Sequence, residues 1–217
     1  MQFSKPGLLA IAAAMTLSCS LAQAQSKDPV RIGVPTALTG PYADLGDQAK
    51  RAITFAMDES NAAGGVDGRK IEAKFLDTQA KADLARQQGE KLALEGYRLL
   101  MGSIASGEAL AMGPMLERWD ALYISSINKA NEITGASCSA RMFRVNRLDA
   151  SDAAVIKPWL ETRKEAKWAI VAADTAWGRN SGGSFTGAAK ANAREVVSEA
   201  YPPFGTNDFA PYIQAVA

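Results

Sequence analysis

Short apolar runs alternate along this chain with helix-length amphipathic segments, and that alternation restricts the fold more than any single motif. Extended runs at Val30–Val34, Ile71–Leu76, Leu99–Met101, Leu122–Ser126 and Arg141–Asn146 are separated by helical patterns over Asp47–Asn61, Lys81–Glu95 and from Ala109 onward. Strands interleaved with helices of this length predict a parallel, doubly wound α/β sheet. The pattern then repeats: a helix over Ala153–Thr162, a continuous apolar strand over Trp168–Ala173, a loop over Asp174–Gly183, a helix over Gly187–Ala193 and a strand over Glu195–Tyr201. Phe209–Ala217 opens one more helix with no strand after it, so the second unit is expected to be incomplete.

The punctuation supports this reading. Ala49, Ile53, Ala56 and Met57 recur at helical spacing and predict one buried stripe. Asn61-Ala-Ala-Gly-Gly-Val-Asp-Gly-Arg then combines helix-ending glycines with a turn at Asp67-Gly68. Pro114 falls inside the pattern of Ala109, Met112 and Leu116 and is expected to kink or restart that helix. Pro35 is expected to limit the pairing of the first strand.

Residues 1–24 are set apart from the rest. Lys5, the apolar core Leu8–Leu17 and Ala22-Gln23-Ala24 form the pattern of a cleavable secretory signal peptide. The core is too short for a membrane anchor, which needs about 20 apolar residues. A lipid-bearing Cys19 is a weaker alternative, because Thr16 stands where a leucine is expected. Removing Lys5 with this leader leaves 23 basic and 23 acidic side chains, and nothing in that balance argues for nucleic acid. Cys138 remains as an unpaired cysteine in a chain bound for an oxidising space. The sequence contains no histidine, the usual general base and commonest metal ligand. It also has no G-x-G-x-x-G after the first strand, no G-x-S-x-G elbow and no Walker A loop, so no enzyme and no cofactor is expected.

The most suggestive stretch is Leu99-Leu-Met-Gly-Ser-Ile-Ala-Ser-Gly-Glu108, a buried strand running into small and hydroxyl residues before a helix. Ligands of open α/β sheets bind outside the carboxyl ends of strands, where free amides and helix starts point at them. This predicts an anion cradle around Ala105 and Ser106.

Several stretches together resemble the periplasmic solute-binding proteins of branched-chain amino acid importers, the leucine-binding-protein family of type I two-lobed receptors. They are the Asn61–Ile71 connection leading to Asp77, Ile32-Gly-Val with Leu38-Thr-Gly-Pro41, Ala109–Pro114 leading to Tyr123–Ser126, and Ala173-Asp-Thr-Ala-Trp-Gly178. The resemblance implies two doubly wound lobes, residues 28–146 and a partial 151–217, with a first hinge crossing near 147–150. The lobes would close over a small amino acid or organic acid, and the closed form would meet the membrane permease of an ABC importer. A ligand-sensing subunit of a signalling system is the alternative, since it uses the same lobes.

By the same resemblance Ser106 would bind the solute carboxylate, and Trp177 would reach it from the second lobe. Asn128 and Lys129 stand where relatives place a small residue and a threonine; this departure favours an acid without an amino group. Leu45 stands where an aromatic lid residue is common, with Tyr42 as its substitute; Asp174 and Tyr201 would lie at the rim. Relatives pair a cysteine in the Cys138 loop, so its partner would lie beyond residue 217. Later segments of the family complete the first lobe, so uncovered apolar surface and weak binding by residues 1–217 alone are expected.

Overall fold

The computed structural model describes residues 28–163, 165 and 167–215; the leader over residues 1–24 lies outside them. Five parallel strands form the first sheet in the order β2-β1-β3-β4-β5: β1 Val30–Thr36, β2 Ile71–Asp77, β3 Leu99–Met101, β4 Leu122–Ser125 and β5 Met142–Arg144. Helix α1 (Ala43–Ala62) links β1 to β2, α2 (Ala82–Leu94) links β2 to β3, and α3 (Ser106–Met112) follows β3. A second sheet pairs β6 (Lys167–Val171) with β7 (Glu195–Ala200), also in parallel. Before it run α4 (Asp149–Val155) and α5 (Lys157–Thr162); between its strands lies α6 (Ala176–Ala191), and α7 (Ala210–Gln214) comes last.

Pro35 limits pairing on one side only. Val30 N–H donates to Lys70 O and Thr36 O accepts from Thr78 N–H, so even-numbered residues of β1 address β2. The missing donor of Pro35 therefore faces β3, where the ladder has already ended at Gly33↔Leu100. Pairing with β2 continues to Thr36↔Asp77.

The glycine-rich connection after α1 works as read. Gly64, Gly65 and Gly68 take positive φ, and Asp67 joins them at 52°. Asn61 Nδ2 donates to Ile71 O and its Oδ1 accepts from Ile71 N–H, at 2.8 and 2.7 Å, tying the helix end to the start of β2.

Four helical expectations shift. Helix α1 begins at Ala43, four residues ahead of the predicted start. Helix α3 stops at Met112, and a 3-10 turn over Gly113–Met115 absorbs Pro114. The predicted helix Ala153–Thr162 instead begins at Asp149 and breaks at Ile156, with Pro158 in the first turn of α5. The predicted loop Asp174–Gly183 is mostly helix. Thr175 Oγ1 caps α6 by accepting from Gly178 N–H at 2.9 Å, and Gly178 and Gly182 are packing positions inside it.

One face of the first sheet is closed by α2 and α3 around Leu92, Leu100, Met112, Leu116 and Tyr123, all essentially buried. Among the described residues, the other face carries α1 alone. Of the expected stripe only Ala49 is buried; Ile53 and Met57 are half-buried and Ala56 is exposed beside an open apolar groove of about 410 Å³. Leu99, Leu122, Ile124 and Phe143 on that face stay exposed, as expected of an incompletely covered sheet.

Asp77 ends β2 and fixes the loop leading to α1. Its Oδ1 accepts from Leu38, Thr39 and Gln79 N–H groups at 2.9, 3.2 and 2.9 Å, and its Oδ2 from Thr39 Oγ1 at 2.6 Å. Burial pushes its pKa up, but the four donors outweigh burial and hold it below the ordinary value. Its contribution is therefore present above the unfolded pKa and lost as pH falls through the lower folded one. Asp77→Ala is expected to cost about 1–2 kcal/mol at neutral pH. In urea titrations the gap from the parent should shrink at pH 3; a gap independent of pH would contradict this role.

Candidate functional site

The chain leaves β3 through Gly102, whose φ of +89° and close neighbour exclude a side chain: an added Cβ would lie 2.8 Å from Val34 Cγ1. Residues 103–105 then run to the start of α3. The amides of Ile104 and Ala105, read from the sequence as free donors, bond instead to Glu108 Oε2 at 2.9 and 2.6 Å. Thr78 Oγ1 donates to the other carboxylate oxygen. The chain thus supplies its own anion to part of the cradle. Burial raises the Glu108 pKa despite these three donors. Ala105 has no side-chain acceptor, so only the glutamate half of a capping box forms.

Ser106 is 3% exposed, and its Oγ accepts from the backbone N–H groups of Lys129 and Ala130, both at 3.2 Å. With both lone pairs accepting, the hydroxyl has only its proton left to offer.

Asn128 is 1% exposed and lies beneath this contact. Its Nδ2 donates toward three carbonyls, Ser103, Ile104 and Ala105, at 3.2, 3.2 and 2.9 Å. Its Oδ1 accepts from Tyr123 OH at 2.8 Å and Ser125 Oγ at 3.1 Å, with Ser103 Oγ at 3.3 Å. Burial pushes the Tyr123 phenol well above its usual pKa and keeps it a donor. The Asn128 amide is therefore fully occupied within the protein and joins the loop after β3 to the loop after β4. The resemblance puts Asn128 in the solute-facing turn, but in this structure its amide is engaged by protein groups.

Lys129 points toward α4. Its ammonium pairs with Asp152 and lies 3.9 Å from Asp149 Oδ1, while Arg147 also bonds Asp152. Asp149 is fully buried; its Oδ1 accepts from Trp177 Nε1–H at 3.1 Å, and its Oδ2 has no partner among the described residues. Burial raises the Asp149 pKa, partly countered by Lys129 and Trp177. Lys129 is thus held within the protein by Asp152, with Asp149 beside it.

Ser106, Lys129, Asp149 and Trp177 form a continuous polar series between the two sheets, with Ala105 and Asn128 at its base. Asn131 N–H donates to Asn180 Oδ1 at 3.0 Å and Asn180 Nδ2 to Glu132 Oε1 at 2.7 Å, adding contacts between α6 and the loop after β4. Tyr42 stacks on Phe204, ring centroids 4.2 Å apart and planes within 12°. Trp177 and Phe204 both line an apolar cavity of about 660 Å³. Leu45 is exposed in the first turn of α1. Of the rim candidates, Asp174 pairs with Arg179 at 2.6 Å and Tyr201 donates to Glu199 at 2.8 Å. Cys138 is an exposed free thiol.

Asp149, Glu108 and Phe204 were not singled out from the sequence. Glu108 had a local signal, a glutamate at the third position of a helix. Asp149 looked like any acidic first-turn residue, and only its burial distinguishes it.

Two parallel α/β units thus follow one another along the chain and touch where α6 meets the loop after β4. Residues 29–217 match the family model described as periplasmic binding protein, and the chain belongs to that family. It is 29% identical to the Leu/Ile/Val-binding protein BraC3 of Rhizobium johnstonii over 197 residues, 90% of this chain and 53% of that one. A solute binding protein of an ABC transporter from Rhodopseudomonas palustris, solved with 3,4-dihydroxybenzoic acid, superposes with a TM-score of 0.78 at 25% identity. The match covers 87% of this chain and 51% of that one. A periplasmic binding protein from Burkholderia mallei gives the same TM-score at 26% identity, covering 87% and 50%. The chain spans about half the length of these relatives.

Proposed function

We propose that this protein is an extracytoplasmic receptor that captures a small carboxylic acid or amino acid between two hinged lobes, residues 28–146 and 151–217, for the membrane permease of an ABC importer. The observation that carries this reading is Ser106, a buried hydroxyl with only a proton to give, at the exit of β3 beside the loop after β4. Such a donor selects an acceptor, and a carboxylate is the acceptor that gains most from a charge-assisted bond. The aromatic walls would bury the rest of the solute as the lobes close. The relatives are consistent with this: one carries a branched-chain amino acid name and one was solved with an aromatic acid. The leader pattern over residues 1–24 and the match to the periplasmic binding protein family support a periplasmic location. The buried carboxylates Glu108 and Asp149 face internal donors, an arrangement for holding a shape and a solute, with no bond made or broken.

A thermal-shift panel of amino acids and aliphatic and aromatic acids tests the reading, because a solute that binds only the folded state must raise its stability. For the best ligand, Ser106→Ala should weaken binding by roughly 10- to 100-fold, the range for a lost hydrogen bond to a charged group. Parent-like affinity in a folded Ser106→Ala protein would remove Ser106 from the site.

A further inference from the structure

We infer that Lys129 determines which carboxylic acids the site accepts: it supplies from the chain the ammonium that an α-amino acid would bring, and so favours acids that lack one. The inference rests on the solute-receptor reading and names the substrate class of that same site.

The argument starts from what Lys129 touches. Its backbone N–H donates to Ser106 Oγ at 3.2 Å, so the residue adjoins the donor that would receive a solute carboxylate. Its side chain pairs with Asp152 and stands 3.9 Å from the buried Asp149. Lys129 thus engages the two carboxylates of α4. Of the other carboxylates near it, Glu108 is held by Thr78 and the amides of Ile104 and Ala105, and Glu132 accepts from Asn180 Nδ2 at 2.7 Å through Oε1 while its buried Oε2 has no partner among the described residues. The remaining charged groups here are cations. Arg144 donates to Asn128 O and Ala130 O at 3.0 and 2.5 Å, and Arg147 bonds Asp152. Trp177 contributes a neutral indole N–H to Asp149.

A zwitterion whose carboxylate took the Ser106 proton would carry its ammonium to a junction where the Lys129 ammonium already stands between Asp152 and Asp149. Like charges at such range oppose binding, whereas an acid with a hydrogen or aryl carbon at that position meets no such repulsion. Asp149 Oδ2, buried and without a partner among the described residues, is the acceptor a solute ammonium would use once Lys129 loses its charge.

Two matched pairs of probes differ only in the α-ammonium: phenylalanine with 3-phenylpropionate, and leucine with 4-methylpentanoate. Titration calorimetry on the product of the complete reading frame should show each deaminated acid binding at least about 10-fold tighter than its amino acid, as expected for like charges about 4 Å apart. Lys129→Met should reduce or reverse that ratio by about 10-fold, mainly through tighter binding of the amino acid. Lys129→Arg should keep the parent's order. Lys129→Gln, which removes the charge but keeps a donor for Asp152, should act like Lys129→Met and serves if that variant fails to fold. A parent that prefers the amino acids, or a ratio unchanged in a folded neutral variant, overturns the inference and leaves the receptor reading standing. A parent that binds no acid of the wider thermal-shift panel overturns the receptor reading, and this inference with it.

Discussion

Replacing Asn128 with leucine is expected to lower stability by roughly 3–5 kcal/mol, because it strands a network and not a single bond. The asparagine amide bonds the carbonyls of Ser103, Ile104 and Ala105 and receives the hydroxyls of Tyr123 and Ser125, all in the interior. Leucine fills a similar volume but returns none of these bonds, and each buried polar group left alone costs about 1–3 kcal/mol. Relaxation and water entry recover part of the sum, so the total falls below a simple addition. Asn128→Asp is the sharper variant. It keeps the shape and one acceptor but turns a carboxylate oxygen toward three carbonyls, so it should be at least as damaging at neutral pH. The loss is a large part of the stability of a typical domain, about 5–15 kcal/mol. Urea unfolding followed by circular dichroism measures it. A midpoint change worth less than about 1 kcal/mol in both variants would mean that the loops after β3 and β4 do not depend on this amide.

The parallel α/β order was legible because periodicity reports burial directly. The apolar run Leu99–Met101 coincides with β3, and the glycines after Asn61 take the left-handed conformations that their residue type suggested. What periodicity does not report is where polar atoms find partners. Asn128 stands at a turn that resembles a solute contact, yet its amide is filled by groups from residues 103–105 and from β4. Those partners are close only after β3 and β4 pair, at Leu100↔Tyr123 and Met101↔Ile124. Glu108 likewise captures two amides that an isolated helix start would offer to solute. Asp149 becomes distinctive only when Trp177, 28 residues on, reaches its carboxylate. The misreading of Asp174–Gly183 has the same origin. Glycine discourages helix locally, but in a packed helix it marks where another backbone comes close.

That last point yields a prediction within one helix. Gly178→Ala should destabilise the protein by about 3 kcal/mol, whereas Gly187→Ala in the same helix should be neutral or stabilise it by up to about 1 kcal/mol. An added Cβ at Gly178 would lie 2.0 Å from Ala173 O and 2.9 Å from Ala173 C, backbone atoms at the exit of β6 that cannot rotate away. At Gly187 the same atom meets nothing within 4 Å. Intrinsic helix propensity favours alanine at both sites, so the difference in sign isolates packing from propensity. The clash must be relieved by moving the first turn of α6, which carries the Gly178 amide bonded to Thr175 and the Trp177 indole bonded to Asp149. Gly178→Ala should therefore also weaken solute binding, while Gly187→Ala leaves it unchanged. Paired unfolding and binding curves decide the matter: equal stability changes at the two glycines would show that α6 does not depend on close contact with β6 to hold Trp177 in place.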